Sequence, residues 1–218
     1  MDLLRTLPIA VCSALLVAGC GGGGDTTADQ QAGASSSAQE VAPANPGDTP
    51  AQPGGGVVTL AGIRFAPAEA WTDLGPSRMR KAQYTHLPVE ADAEPAELNV
   101  FYFGPNQGGD VESNIARWVG QMEAPDGGDA GAVAVRSKLT TGNGLDVHFV
   151  EVDGTYNMSM GGGPMTGGRT KALEGYRMVG AIVEAPQGLV FFKLTGPEAT
   201  AKAMEEEMRA MLAEATEV

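Results

Sequence analysis

The chain has 218 residues, and 14 basic against 27 acidic side chains give it a formal net charge of −13 at pH 7. Because such a surface repels phosphate backbones and anionic lipid headgroups, nucleic-acid binding and membrane binding through surface charge are disfavoured. Cys12 lies in an N-terminal apolar run and Cys20 is the only other cysteine, so no disulfide is expected in the folded part.

The N-terminal segment has the layout of an export signal. A short start ending at Arg5 precedes an apolar run over residues 7–17, which is shorter than the roughly 20 residues that a membrane-spanning helix needs. The run ends in Val17-Ala18-Gly19-Cys20, which resembles a bacterial lipobox. The resemblance implies a signal peptide over 1–19, cleavage between Gly19 and Cys20, and acylation of Cys20. An ordinary secretory signal would leave a cysteine directly after Gly19 unexplained.

The lipobox resemblance also implies a location. The protein is expected to be exported and anchored by the acyl chains on Cys20, because two or three chains hold a protein firmly at a membrane. Residue 21 is glycine and not the aspartate of an inner-membrane retention signal, which favours the outer membrane in a two-membrane cell. Which face the domain occupies, periplasmic or outer, stays open.

Residues 20–56 are predicted to be the lipid-anchored cysteine and a disordered linker. The tract is rich in Gly, Ser, Pro and Ala, it has no aromatic residue, and Val41 is its only large aliphatic side chain. Such a composition cannot bury enough apolar area to offset the entropy of ordering the chain. We therefore expect a tether.

Residues 57–218 are predicted to form a single globular α+β domain. Alternating or continuous apolar runs separated by Gly, Pro and Asn indicate its strands. Two of them, around Phe101 and Phe192, are apolar on both faces, so both faces must be covered. The predicted strands are 57–60, 63–65, 79–87, 98–103, 132–139, 145–152, 176–184 and 189–195.

Two amphipathic helices are predicted in the same domain. The first begins after Asp110 as N-cap and carries an apolar stripe from Val111 to Met122. The second begins near Glu198, capped either by Thr195 in a capping box with Glu198 or by Gly196 with Pro197 at the first helical position. Its predicted inner face is Ala201, Met204, Met208, Met211 and Leu212, with Glu205, Glu206 and Glu207 pointing outward.

Two helices and doubly apolar strands favour an antiparallel sheet flanked by two helices, an α/β/α sandwich. The sequence from Phe191 to Pro197, FFKLTGP, leads into the final helix, and with this order of elements it resembles a PsbP-type domain. The resemblance implies a fold used for binding and assembly, and it transfers no catalytic residue.

The tract 154–175 breaks all periodicity and is predicted to be a long loop that forms the working surface. It contains seven glycines, and Tyr156, Arg169 and Lys171 are its candidate partner-binding residues. A mobile insertion without function is the alternative. The thioethers of Met158, Met160 and Met165 are soft ligands that would select Cu(I); the alternative is that flexible methionines cover an irregular edge of the core.

No catalytic motif is recognisable in the sequence. No GxSxG elbow, HExxH pair or cysteine pair is present, and His86 and His148 lie in strands where a surface or hydrogen-bonded histidine is the common explanation. No cofactor is predicted. Two hypotheses remain. The first is a non-enzymatic binding or assembly module whose partner is an envelope protein or a small ligand. The second is a protein that handles a small molecule or copper and that could also be an enzyme.

Overall fold

Antiparallel strands make up most of the domain in the computed structural model, which describes residues 52–160 and 169–218. About 45% of the structure is strand and 18% is helix. The strands are β1 Gln52–Pro53, β2 Val58–Leu60, β3 Ile63–Phe65, β4 Thr72–Asp73, β5 Ala82–His86, β6 Ala96–Phe101, β7 Met122–Glu123, β8 Val135–Thr140, β9 Asp146–Ser159, β10 Thr170–Ala185, β11 Gly188–Pro197 and β12 Thr216–Glu217. The helices within the described ranges are α1 Val111–Val119, α2 Ala130–Val133 and α3 Glu198–Ala213.

Nine strands form one large antiparallel sheet in the order β1-β4-β5-β6-β11-β10-β9-β7, with β8 also paired to β9. A small second sheet has the order β12-β3-β2. The pairing of β2 with β3 around Gly62 confirms the predicted N-terminal strand pair. The hairpin of β10 and β11 turns near Pro186 to Gly188, also as predicted.

The predicted fold class, an antiparallel sheet flanked by two helices in a PsbP-like sandwich, is wrong. The molecule is mostly a large antiparallel sheet with three helices in the described part, and the sheet has more strands than the apolar pattern indicated. Four strands of two residues, β1, β4, β7 and β12, are too short to leave any periodicity in the sequence. Residues 130–133 form the additional helix α2, which includes the first two residues of the predicted strand 132–139.

The largest correction concerns the predicted loop 154–175. Residues up to Ser159 continue β9, and β10 begins at Thr170, so most of this tract extends one long hairpin. The pairs run from Thr170 opposite Ser159 to Leu173 opposite Tyr156, and a bulge follows between Leu173 and Tyr176. Cross-strand pairing here overrides a composition that is poor in strand-forming residues. Residues 161–168 lie outside the described part of the chain.

The central strands are buried on both faces because side chains alternate across a sheet. On one face, called the α3 face, Val179, Phe192 and Leu194 pack in a core cluster with Met204 and Met208 of α3. On the other, called the α1 face, a separate cluster contains Trp118 and Ile115 of α1 together with Met178, Ile182 and Phe191. Helix α3 has 16 residues and α1 has only nine, so the two faces are covered to different extents.

The helix ends differ in how they are capped. Asp110 is the N-cap of α1, as predicted, and its side chain accepts a hydrogen bond from Ser113 N at 2.8 Å. Helix α1 ends at Val119, however, so Met122 of the predicted stripe lies in β7.

Helix α3 begins at Glu198 as predicted, but both predicted caps are wrong because Pro197 is the N-cap and forms no side-chain cap hydrogen bond. Instead Asp92, distant in sequence, accepts from the backbone N–H and the hydroxyl of Thr200 at 2.7 Å each. The predicted inner face is buried as expected, with Met204, Met208 and Leu212 fully inaccessible. Glu205 is also buried, which contradicts the prediction that it points outward.

Candidate binding groove on the α1 face

Part of the α1 face carries polar side chains in place of a continuous apolar core. The strand register places Asn99 of β6 opposite Lys193 of β11, and Lys193 opposite Gly180 of β10. One step along the same face, Glu97 lies opposite Thr195. A Cβ on Gly180 would meet the Trp118 ring at 2.3 Å, so Trp118 of α1 packs directly on the backbone beside Lys193. The polar residues therefore lie at the border of the surface that α1 covers.

A small cavity of about 200 Å³ opens beside these residues. Tyr156 and Tyr176 form one wall, with their rings stacked at 6.3 Å between centroids and 20° between planes. The hydroxyl of Tyr176 donates to a carboxylate oxygen of Glu94 at the rim. We call this cavity and the adjoining Lys193 the groove. Its other lining residues are Pro95, Glu97, Met158, Lys171, Leu173 and Thr195.

Lys193 is the most unusual charged residue of the groove. Its Nζ donates to Oε1 of Gln121, contacts the hydroxyl of Tyr156 at 3.2 Å, and lies 4.9 Å from the centroid of the Tyr156 ring. No salt bridge to this ammonium occurs among the residues that the structure describes. Burial, and secondarily the positive charge of Arg117, lower the pKa of Lys193 from its usual 10.5 to about 8.

Two further cations influence the groove without an acidic partner in the described ranges. Arg117, near the end of α1, donates to Oδ1 of Asn114 at 2.5 Å, and Arg80 donates to Oε1 of Gln83 at 2.5 Å. Burial, and then the charge of Glu97, raise the pKa of Tyr156, whereas Arg80 opposes that shift. The groove therefore has positive charge near Lys193 and negative charge at Glu94 and Glu97.

A second charged cluster, on the α3 face, is fully paired. Arg177 contacts Glu205 at 2.7 Å and both Glu151 and Asp153 at 2.6 Å. Arg209 adds bonds to Glu151 and to Glu205, the latter at 2.8 Å. Burial alone would lower the pKa of Arg177, but hydrogen bonds to Glu205 and Asp153 outweigh burial and raise that pKa. The arrangement links β9, β10 and α3 and fits a structural role.

The structure brings together two of the three predicted partner-binding residues. Tyr156 of β9 and Lys171 of β10 both line the groove. Arg169 is exposed near the end of the hairpin, where its carbonyl accepts from the Met160 N–H at 2.8 Å.

The possible copper ligands are only partly visible. Met158 lines the groove and Met160 is exposed, whereas Met165 lies outside the described residues. In the described ranges, no group of three or more His, Cys, Asp or Glu side chains is arranged to hold a metal ion. Gly19 and Cys20 also lie outside the described residues, so the lipidation site stays a prediction.

Both histidines have polar neighbours and neither lies in the groove. His148 Nε2 and Glu184 Oε1 are 2.6 Å apart, and His86 Nδ1 is 2.7 Å from the carbonyl oxygen of Leu87. The carboxylates Glu151 and Asp153, two residues apart on one face of β9, accept hydrogen bonds from Arg177. In the described part of the chain, neither histidine is hydrogen-bonded to a serine, threonine or cysteine side chain.

The comparisons with known proteins add no family. No protein-family model matches the chain, and a search of curated proteins finds no match. Among the described helices, none is long and apolar enough to cross a membrane.

Proposed function

We propose that this chain is a lipid-anchored binding module of the cell envelope, without catalytic activity of its own, and that the groove is its binding surface. The observation that supports the binding role is Lys193, a partly buried ammonium with no acidic partner among the described residues. Removing a charge from water is costly unless a partner compensates it. A ligand that supplies the missing negative charge would compensate Lys193 upon binding.

The chemistry of the groove favours binding over catalysis. Lys193 has hydrogen-bond partners but no base or second nucleophile at hand in the described structure. Two stacked tyrosines and the side chains of Met158 and Leu173 provide an apolar wall, which suits recognition of a ligand body. Charged groups of both signs at its edges would fix the orientation of that ligand.

The anchor is the second part of the proposal and rests on the lipobox resemblance of Val17-Ala18-Gly19-Cys20. Acylation of Cys20 would hold the groove at a membrane, with residues 21–56 as the tether, and the outer membrane is the proposed location in a two-membrane cell. Replacing Cys20 with Ser should abolish labelling by a radioactive fatty acid and leave unprocessed precursor. Unchanged acyl labelling of Cys20→Ser would contradict the anchor and leave the groove proposal standing.

The binding role is tested by a photo-crosslinking residue in whole cells. We expect p-benzoylphenylalanine at Leu173, which lines the groove, to form adducts on irradiation that mass spectrometry detects. The matched control places p-benzoylphenylalanine at Val133, an exposed position in α2 that is not part of the groove lining. Equal adduct formation at the two positions would show that the groove is not a binding surface.

A further inference from the structure

The charges and dimensions of the groove restrict what it can bind. A volume of about 200 Å³ lies below the usual range for drug-sized ligands, which begins near 300 Å³. The ligand must therefore be small or must place only a small group in the cavity. A flat or apolar body suits the wall formed by Tyr156, Tyr176 and Leu173.

The cations Lys193 and Arg117 favour a ligand with a negatively charged group. Lys193 Nζ lies within hydrogen-bond distance of the Tyr156 hydroxyl, so an anionic group placed there could accept from both side chains. Arg117 adds positive charge from α1. A carboxylate would thus supply the acidic partner that Lys193 lacks in the described structure.

The carboxylates that line the groove limit how much negative charge the ligand can carry. The Glu94 carboxylate accepts a hydrogen bond from the Tyr176 hydroxyl, and the Glu97 carboxylate forms no side-chain hydrogen bond or salt bridge among the described residues. Both carboxylates lie on the groove lining and would repel a second anionic group. A monoanion is therefore favoured over a dianion such as phosphate.

Resting on the proposed function, we propose that the groove binds a small organic monocarboxylate, with the carboxylate at Lys193 and a flat or apolar body against Tyr156 and Tyr176. The ligand charge complements Lys193 and Arg117, and its body covers the tyrosine wall. The net charge of the protein opposes the approach of any anion at long range, so binding depends on these short-range contacts.

Benzoate is the probe, because it joins one carboxylate to a flat ring. Isothermal titration calorimetry of the processed protein should give a dissociation constant on the order of millimolar, as expected for a ligand of about nine non-hydrogen atoms. Acetate lacks the ring, phosphate carries more charge, and benzylamine carries the same ring with the opposite charge. Each should bind more weakly than benzoate. Equal affinity for benzoate and benzylamine would overturn the proposal.

The Lys193→Met variant tests the position of the carboxylate. Loss of the ammonium should weaken benzoate binding at least about tenfold, which corresponds to one lost charge-assisted hydrogen bond. Lys138→Met is the matched control, because Lys138 is an exposed strand lysine paired with Asp146 at 2.7 Å, and it should leave affinity unchanged. Unchanged affinity in Lys193→Met would overturn the proposal.

A pH profile of the wild-type protein gives a readout that needs no variant. The groups that face Lys193 are Arg117 from α1 and Tyr156 from β9, with Glu97 on β6 and Arg80 nearby. The raised pKa of Tyr156 keeps its hydroxyl neutral over this pH range. Only Lys193 loses its charge near pH 8, so benzoate affinity should fall about tenfold per pH unit above that value. A benzoate affinity that does not change between pH 7 and pH 9.5 would overturn the proposal.

These measurements separate the inference from the proposed function. If adducts form at Leu173 in cells but benzoate does not bind, the groove recognises another class of ligand and only the monocarboxylate inference fails. If the crosslinked partner is a protein and benzoate binding is independent of Lys193, the monocarboxylate inference again fails and the binding role stands. If benzoate binds through Lys193 but no adduct exceeds the Val133 control, the inference holds and the proposed cellular function fails.

Discussion

Each face of the central sheet carries a cation that is wholly or partly buried, and the two cations differ in whether carboxylates compensate their charge. On the α3 face, Arg177 contacts three carboxylates and lies under α3, while on the α1 face Lys193 has only an amide, a hydroxyl and an aromatic ring. Both residues come from adjacent strands of the same hairpin. A compensated charge links elements of the fold, whereas an uncompensated one lowers stability and is best explained by a ligand.

The strongest way to test this contrast is to remove the paired cation. Arg177→Met should lower the free energy of unfolding by about 3 to 5 kcal/mol, because buried Glu205 and half-buried Glu151 would keep only Arg209 as a cationic partner. Urea denaturation at pH 7 measures the loss.

A matched control for Arg177 lies on the exposed side of α3. Lys202 pairs with Glu198 one helical turn away, and both side chains are about half exposed, so Lys202→Met should change stability by less than about 0.5 kcal/mol. If Arg177→Met cost no more than this control, the α3-face cluster would be a surface network and the contrast between the two faces would disappear.

Sequence reasoning identified elements that leave a local signature. Asp110 and the apolar stripe behind it marked the start of α1, and the repeat of Met204, Met208 and Met211 marked the buried face of α3. The N-cap hydrogen bond and the helical period depend on neighbouring residues only, so they can be read from the chain.

Elements that depend on distant partners could not be read in this way. Residues 154–159 form a strand because they pair with 170–176, although glycines and polar residues break their alternation. The cap of α3 comes from Asp92, far away in the chain. Glu205 is buried because Arg177 crosses from the sheet to meet it, and no helical period could indicate that contact.

The sequence predicts some residues of the groove, Tyr156 and Lys171, but not Lys193. Tyr156 and Lys171 were selected because they stand out in a glycine-rich, acidic chain, and both line the cavity. Lys193 was missed although a signal was present, since it is a lone lysine on the strand face that carries Leu189 and Phe191. Its partner Gln121 follows α1 in sequence, and the two meet only through packing of the helix on the sheet.

The effect of Lys193 on stability is smaller than that of Arg177 and opposite in sign. Its folded pKa of about 8 lies below the usual 10.5, so the protonated lysine destabilises the fold at pH 7. That penalty is fully present below about pH 8, fades as the pH rises from about 8 to 10.5, and is absent above that range. Because Lys193 is only partly buried and loses hydrogen bonds on substitution, Lys193→Met should raise the free energy of unfolding at pH 7 by no more than roughly 1 to 2 kcal/mol.

The unfolding free energy of Lys193→Met relative to wild type, measured by urea denaturation from pH 7 to 10.5, tests whether Lys193 is an uncompensated charge. We expect the variant to be more stable than wild type at pH 7, with the advantage shrinking steadily above about pH 8. If the variant is less stable than wild type at pH 7 by about 1 kcal/mol or more, Lys193 is a structural residue like Arg177 and the groove is not a binding surface built around an uncompensated charge.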